Sequence, residues 1–159
     1  MTFTGAPAES DLQTVIARLR VRIGQEEAHY GGELVDGARL LRLFGDLVTE
    51  ITIRTDRDEG LLSAYSEVRF TAPVRPGDYI EATARLTRST KLRRFVALEA
   101  RKVITSRDTS TSAAQVLDEP IVVCTANAVT VVPKPQRPGS PDSSRGPDEK
   151  HAVSIGGRQ

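Results

Sequence analysis

Hydrophobic residues fall at every second position between residues 15 and 23. Val15, Ala17, Leu19, Val21 and Ile23 lie on one side, and Ile16, Arg18, Arg20 and Arg22 on the other. This period predicts a strand with one buried face, ended by Gly24. From about residue 37 to residue 54 the period lengthens to three and four. Leu40, Leu41, Phe44, Leu47, Val48 and Ile51 form an apolar stripe, opposed by Arg39, Arg42, Asp46 and Glu50. That pattern predicts an amphipathic helix of about five turns. Asp36 is its natural N-cap, and the polar run from Thr55 to Gly60 stops it.

Four more strands are expected. Residues 62–71 alternate, with Ala64, Val68 and Phe70 on one side. The segment Ala72-Pro73-Val74-Arg75-Pro76-Gly77-Asp78 is a turn, since proline presets one φ and glycine permits a positive one. Residues 79–88 alternate again, with Ile80, Ala82, Ala84 and Leu86 against Glu81, Thr83 and Arg85. Residues 95–105 and 121–132 complete the set, separated by a polar loop over 106–119. The expected organisation is a loose arm over residues 1–12, one domain over 13–133, and a Pro- and Gly-rich disordered tail over 134–159. One strand, one long helix and four strands make an α+β domain. A single helix covers only one face of such a sheet. The sheet must therefore curl around it, and a second copy of the chain is the economical cover for what remains exposed.

Composition narrows the function. The 159 residues carry 22 basic and 21 acidic side chains, for a net charge of +1. That balance attracts neither nucleic acid nor an anionic membrane. Aromatic content is 4% with no Trp, which argues against base stacking. One cysteine, Cys124, permits no intrachain disulfide and fits a reducing cytoplasm. Residues 1–8 contain neither a basic start nor an apolar run, so neither a leader peptide nor a membrane span is expected. The two histidines, one in the tail, form no metal-ligand set. Cys124 stands among small apolar strand residues and reads as core.

The candidate chemistry lies in the lead-in to the helix, Ala28-His29-Tyr30-Gly31-Gly32-Glu33-Leu34-Val35-Asp36-Gly37-Ala38-Arg39. A helix entrance offers free N–H groups and the positive end of a dipole, which suit a developing oxyanion on a carbonyl or thioester. Gly31, Gly32 and Gly37 permit close backbone approach, although a turn and a helix start explain them as well. Asp46 and Glu50 are one turn apart and point the same way. Asp36 lies about 80° from Asp46 round the axis, at ~100° per residue. These carboxylates can converge on one substrate, holding an ammonium or taking a proton. The bland alternatives are an Arg42–Asp46 surface ion pair and an Asp36 that only caps. His29 reads equally as a proton shuttle or a polar contact, and Tyr30 as a pocket wall or packing.

The layout resembles the hot-dog fold, a curved, mainly antiparallel sheet wrapped around one central helix, and the turn at residues 72–80 is similar to one in that fold. The lead-in, together with Phe44-Gly45-Asp46, Thr49-Glu50, Asp58-Glu59-Gly60-Leu61 and the stretch from Phe95 through Glu99-Ala100-Arg101-Lys102-Val103, resembles the CoA-thioester ammonia-lyases. The resemblance runs from about residue 20 to residue 132. It implies reversible loss of ammonia from 3-aminobutyryl-CoA or β-alanyl-CoA, giving an enoyl-CoA, and a place in amino acid degradation. It implies no cofactor beyond the coenzyme A of the substrate, and a homo-oligomer of at least two chains.

Under that resemblance Glu50, Asp46, Asp36 and His29 are the expected catalytic groups, with Glu50 slightly ahead of Asp46 as base. Tyr30, Gly31, Gly32 and Gly37 are the expected acyl-thioester contacts. CoA phosphates favour Arg and Lys, which makes Lys91, Arg93 and Arg94 candidates for the nucleotide end. A solvated edge guard is the alternative for each. A hot-dog acyl-CoA thioesterase is the second functional reading, with Asp46 activating water or attacking the thioester. An enoyl-CoA hydratase lacks its usual motif here. A non-catalytic binding or dimerisation module remains as the third reading.

Overall fold

The computed structural model describes residues 15–106 and 111–133. The expected arm (1–12) and tail (134–159) lie outside the described residues. The elements in order are β1 (Ile16–Arg22), a single 3-10 turn (Gln25–Glu27), β2 (Ala28–Tyr30), β3 (Leu34–Val35), α1 (Gly37–Asp56), β4 (Leu61–Phe70), β5 (Tyr79–Ser89), β6 (Arg93–Ser106) and β7 (Ala114–Val131). Five strands form one antiparallel sheet in the order β1-β5-β6-β7-β4, and β2 and β3 make a separate small hairpin. No described helix is long and apolar enough to cross a membrane.

The core is the interface between α1 and the inner face of this sheet. Leu40, Leu43, Phe44, Leu47, Val48 and Ile51 are buried from the helix side. The sheet meets them with many small residues: Ala17, Ala82, Ala84, Ala100, Ala126 and Ala128 are all buried. Short methyl groups on the sheet let the helix approach closely, and the large helix side chains fill the layer. Each large side chain contributes about 2 kcal/mol of burial. The helix face was read correctly except that Leu43 was missed and Leu41 is only half-buried.

Three polar clamps fix this layer. At the helix start Asp36 Oδ1 accepts from the Arg39 N–H at 3.0 Å. At the helix end Arg57, in the left-handed region at φ 60°, donates its N–H to Ile53 O. There Asp56 pairs with the buried Arg94 of β6, whose Nε lies 2.8 Å from Oδ2, while Arg94 Nη1 donates to Thr90 O and Arg93 O. The third clamp is the turn before β5. Buried Asp78 accepts from the Arg75 N–H and the Thr105 hydroxyl, both at 2.9 Å, and pairs with Lys102 Nζ at 2.9 Å. Lys102 also donates to Pro73 O at 2.7 Å, which ties the turn to β6.

Two strand expectations are corrected. Ala64 and Phe70 do not share a buried face with Val68: both are exposed, and Tyr65 and Val68 pack on the core instead. Register shifts between Leu62 and Ala64 and between Ser66 and Arg69, with Glu67 at φ 53°, reset the alternation. The polar loop expected over 106–119 is shorter, because Ala114 onward already belongs to β7 and pairs with the end of β6.

Burial raises the Asp56 carboxyl, but the hydrogen bonds from Arg94 and Thr55 and the Arg94 charge outweigh it and hold the group below the ordinary carboxylate range. A depressed folded pKa adds stability that is present above the unfolded value and is lost as pH falls through the folded one. Asp56→Asn is expected to destabilise by about 3 kcal/mol near neutrality, because it leaves a buried guanidinium unpaired. In urea titrations at several pH values, the gap from wild type should narrow below about pH 4. A constant gap would contradict this role.

Candidate active site

The β2–β3 hairpin organises the site. Its turn, Gly31-Gly32-Glu33, has Gly32 at φ 73° and Glu33 at φ 59°. A methyl at Gly31 or Gly32 would meet nothing within 4 Å, so these glycines serve the turn and no close approach within the chain. A register shift interrupts the hairpin between Ala28 and Tyr30. His29 lines one hollow at the helix start and Tyr30 another.

The first hollow, about 690 Å³, is polar. Glu26, Glu27, His29, Asp36, Arg39, Arg42 and Asp46 surround it above a floor of Leu19, Val21 and Leu43. Four carboxylates against two guanidinium groups leave it net acidic. Glu27 is committed, pairing with Arg39 and accepting from the Gly24 N–H at 2.7 Å. Asp36 is half committed, since Oδ1 caps the helix and Oδ2 faces His29 Nδ1 at 3.9 Å. His29 also meets Tyr30 edge to face at 4.8 Å. Asp46 and Arg42 make no hydrogen bond or ion pair with other described residues. The helix-surface pair between them does not form.

The charge of Asp46 reaches Tyr65. The Tyr65 hydroxyl donates to Leu41 O at 2.8 Å. Burial, then the charge of Asp46, then Cys124 push that phenol above its ordinary range. Cys124 itself is buried, which pushes its thiol up to about 11. It is a core side chain.

Glu50 follows Asp46 by one turn but lines neither hollow. It holds Arg54 at 2.5 and 2.8 Å. Gly37 lies on the second hollow, about 540 Å³, with Tyr30, Leu40, Phe70 and Pro73. Lys91 and Arg93 are exposed near the helix C-terminus. Arg94 is corrected: all of its guanidinium nitrogens are occupied by Asp56 and backbone carbonyls, so it is not a free cation for a phosphate. It also sits by Asp56, about 30 Å along the helix from Asp36. Glu26, Glu27 and Phe70 had no site role in the sequence reading. The two glutamates stand on the 3-10 turn just before the hairpin, which the sequence signals only as a Gly followed by acids. No group of His, Cys, Asp and Glu among the described residues is placed to hold a metal ion.

The curved sheet around one helix, with a polar hollow at the helix start, defines a hot-dog-fold protein. The chain is 53% identical over 117 residues to the 3-aminobutyryl-CoA ammonia lyase of Acetoanaerobium sticklandii, a match that covers 73% of this chain and 93% of that protein. It superposes on β-alanyl-CoA:ammonia lyase from Clostridium propionicum with a TM-score of 0.74 and 29% identity, covering 81% and 92% of the two chains. A hexameric hot-dog-fold thioesterase of Campylobacter jejuni matches with a TM-score of 0.60 at 15% identity, over 71% and 79% of the chains, which speaks for the fold alone. No family model matches the chain. On the strength of the 53% relative, the chain belongs to the CoA-thioester ammonia lyases, carbon–nitrogen lyases built on the hot-dog fold.

Asp36 caps the helix, and substitution separates that role from chemistry by its carboxylate. Asn caps a helix about as well as Asp, whereas Ala costs about 1 kcal/mol. Asp36→Asn should keep the thermal midpoint, and Asp36→Ala should lower it. If the carboxylate serves chemistry, both variants should lose activity equally. Activity that follows stability across the two variants would leave Asp36 with capping alone.

Proposed function

We propose that this chain catalyses the reversible elimination of ammonia from a short 3-aminoacyl-CoA, with 3-aminobutyryl-CoA as first choice and β-alanyl-CoA as second. The observation that carries the reading is the net acidic hollow at the helix start, where Asp46 stands without a counter-ion. A 3-aminoacyl thioester brings an ammonium on C3, and a hollow with surplus carboxylate is complementary to it. Elimination needs three things. A base takes the proton from the α-carbon, the electron pair moves into the C2–C3 bond, and the C3–N bond breaks to release ammonia. Negative charge grows on the thioester oxygen as the proton leaves, and amide donors at the Gly37 end of the helix are suited to it.

In this scheme Asp46 and Glu50 are the acid/base pair, with Asp36 and His29 around the amine. Tyr30, Gly31, Gly32 and Gly37 border the acyl thioester. Glu50 would act once a second chain or the substrate displaces Arg54 from it. The exposed Lys91 and Arg93 are the remaining cations for the nucleotide end of a CoA held by a neighbouring subunit. The free edges of β1 and β4, with exposed Leu61 and Leu62 at the start of β4, support an assembly of at least two chains. The single buried thiol supports a cytoplasmic setting.

Incubation with crotonyl-CoA and ammonia tests the reaction. Enoyl absorbance should fall only when ammonia is present, and no free thiol should appear. Thiol release would instead establish the thioesterase reading. Asp46→Asn and Glu50→Gln should each slow the addition by about 10² or more; full activity in both would remove them from the chemistry. Light scattering should report a dimer or larger species, and a monomer with full activity would contradict a shared site.

A further inference from the structure

The second hollow, on the Tyr30 side of the hairpin, has no charged side chain in its wall. Its two sides differ in stiffness. One is the turn at Pro73 and Val74. Lys102 Nζ holds Pro73 O at 2.7 Å, Val74 O accepts from the Val35 N–H at 3.0 Å, and buried Asp78 anchors both Lys102 and the Arg75 N–H. That side is pinned by a buried ion pair and three hydrogen bonds. The other side is one aromatic ring. Phe70 ends β4, is 54% exposed, and points the tip of its ring at Gly37, the first residue of the helix. A methyl on Gly37 would sit 2.4 Å from Phe70 Cζ and 2.5 Å from Cε1. The ring occupies the space that every other residue type would fill at Gly37. No ion pair or side-chain hydrogen bond pins this wall as Lys102 and Asp78 pin the other.

We infer that Phe70 is the wall that sets how long an acyl tail this chain accepts. The inference rests on the lyase reading above and adds the part of the substrate that lies beyond C3. A 3-aminoacyl thioester carries two groups at C3 with opposite needs, an ammonium and an alkyl tail. The tetrahedral carbon sends them in different directions. The helix start has a charged hollow on its Asp36 side and an uncharged one on its Gly37 side, so a C3 placed between them directs each group into a matching environment. The uncharged hollow, about 540 Å³, is much larger than the one methyl group by which a 3-aminobutyryl tail exceeds a β-alanyl one. Phe70 and Gly37 both border it, with the ring against the glycine.

The experiment compares ammonia addition to acryloyl-CoA, crotonyl-CoA and 2-hexenoyl-CoA by wild type, Phe70→Leu and Phe70→Ala. The measured quantity is the ratio of kcat/KM for 2-hexenoyl-CoA to that for crotonyl-CoA. A ratio within one protein cancels any loss of folded enzyme, so it separates specificity from stability. Truncation should raise the ratio about 10-fold or more in Phe70→Ala, since methylene groups in an apolar pocket discriminate at that level. Phe70→Leu, which keeps more of the packing, should give a smaller rise in the same direction. Use of acryloyl-CoA relative to crotonyl-CoA should move little. An unchanged hexenoyl-to-crotonyl ratio in both variants, with crotonyl-CoA still consumed, overturns the role of Phe70 and leaves the lyase reading intact. A wild type that adds ammonia to none of the three thioesters overturns both.

Discussion

One helix has to cover five strands, and that constraint shapes everything else in this chain. The sheet can meet a single helix only if it curves and if its inner face is shallow. The row of buried alanines on β1, β5, β6 and β7 supplies the shallow face, and the Leu and Phe side chains of α1 supply the bulk. Once the helix is seated, its two ends are the places where side chains and backbone leave the core together. The C-terminal end is closed by Arg94 and Asp56. The N-terminal end is left open, flanked by a short hairpin, and that is where the polar groups collect. The site is thus a consequence of where the apolar stripe of the helix runs out.

Much of this could be read from residue periods alone. β1 and β5 alternate cleanly because each has one face on the core, and the helix shows its stripe for the same reason. β4 misled the reading because two register shifts and a left-handed Glu67 change which side its residues face, and a bulge leaves no mark in a hydrophobic pattern. The first part of β7 was hidden for a different cause. Residues 114–116 pair with the end of β6, residues 117–120 fall in a register shift, and the stretch is largely exposed, so it carries no alternation. The β2–β3 hairpin is too short to show a period at all.

The site was legible in its identity more than in its geometry. Asp36 as a cap needs only local sequence, and the structure has it. The helix-surface ion pairs show what local sequence leaves open. Arg42 and Asp46 do not pair, whereas Glu50 and Arg54 do. Both are four residues apart. The acid precedes the base only in the second, and that order is the one the helix geometry and dipole favour. Spacing alone therefore does not tell which of the two pairs forms. Arg94 looked like a member of an exposed basic run with Lys91 and Arg93. Its burial depends on a contact with Asp56, 38 residues away in sequence, which no local window contains.

The hot-dog fold hosts both hydrolysis and elimination, so the fold does not choose between them. The balance of charge at the helix start bears on that choice. Hydrolysis of a thioester needs one carboxylate near the carbonyl carbon and a water, and the substrate presents no cation there. Here four carboxylates share the hollow with two arginines, one of those arginines is neutralised by Glu27, and Asp46 remains without a partner. A hollow with that balance is complementary to a cation, and a 3-aminoacyl thioester brings one while a simple acyl thioester does not.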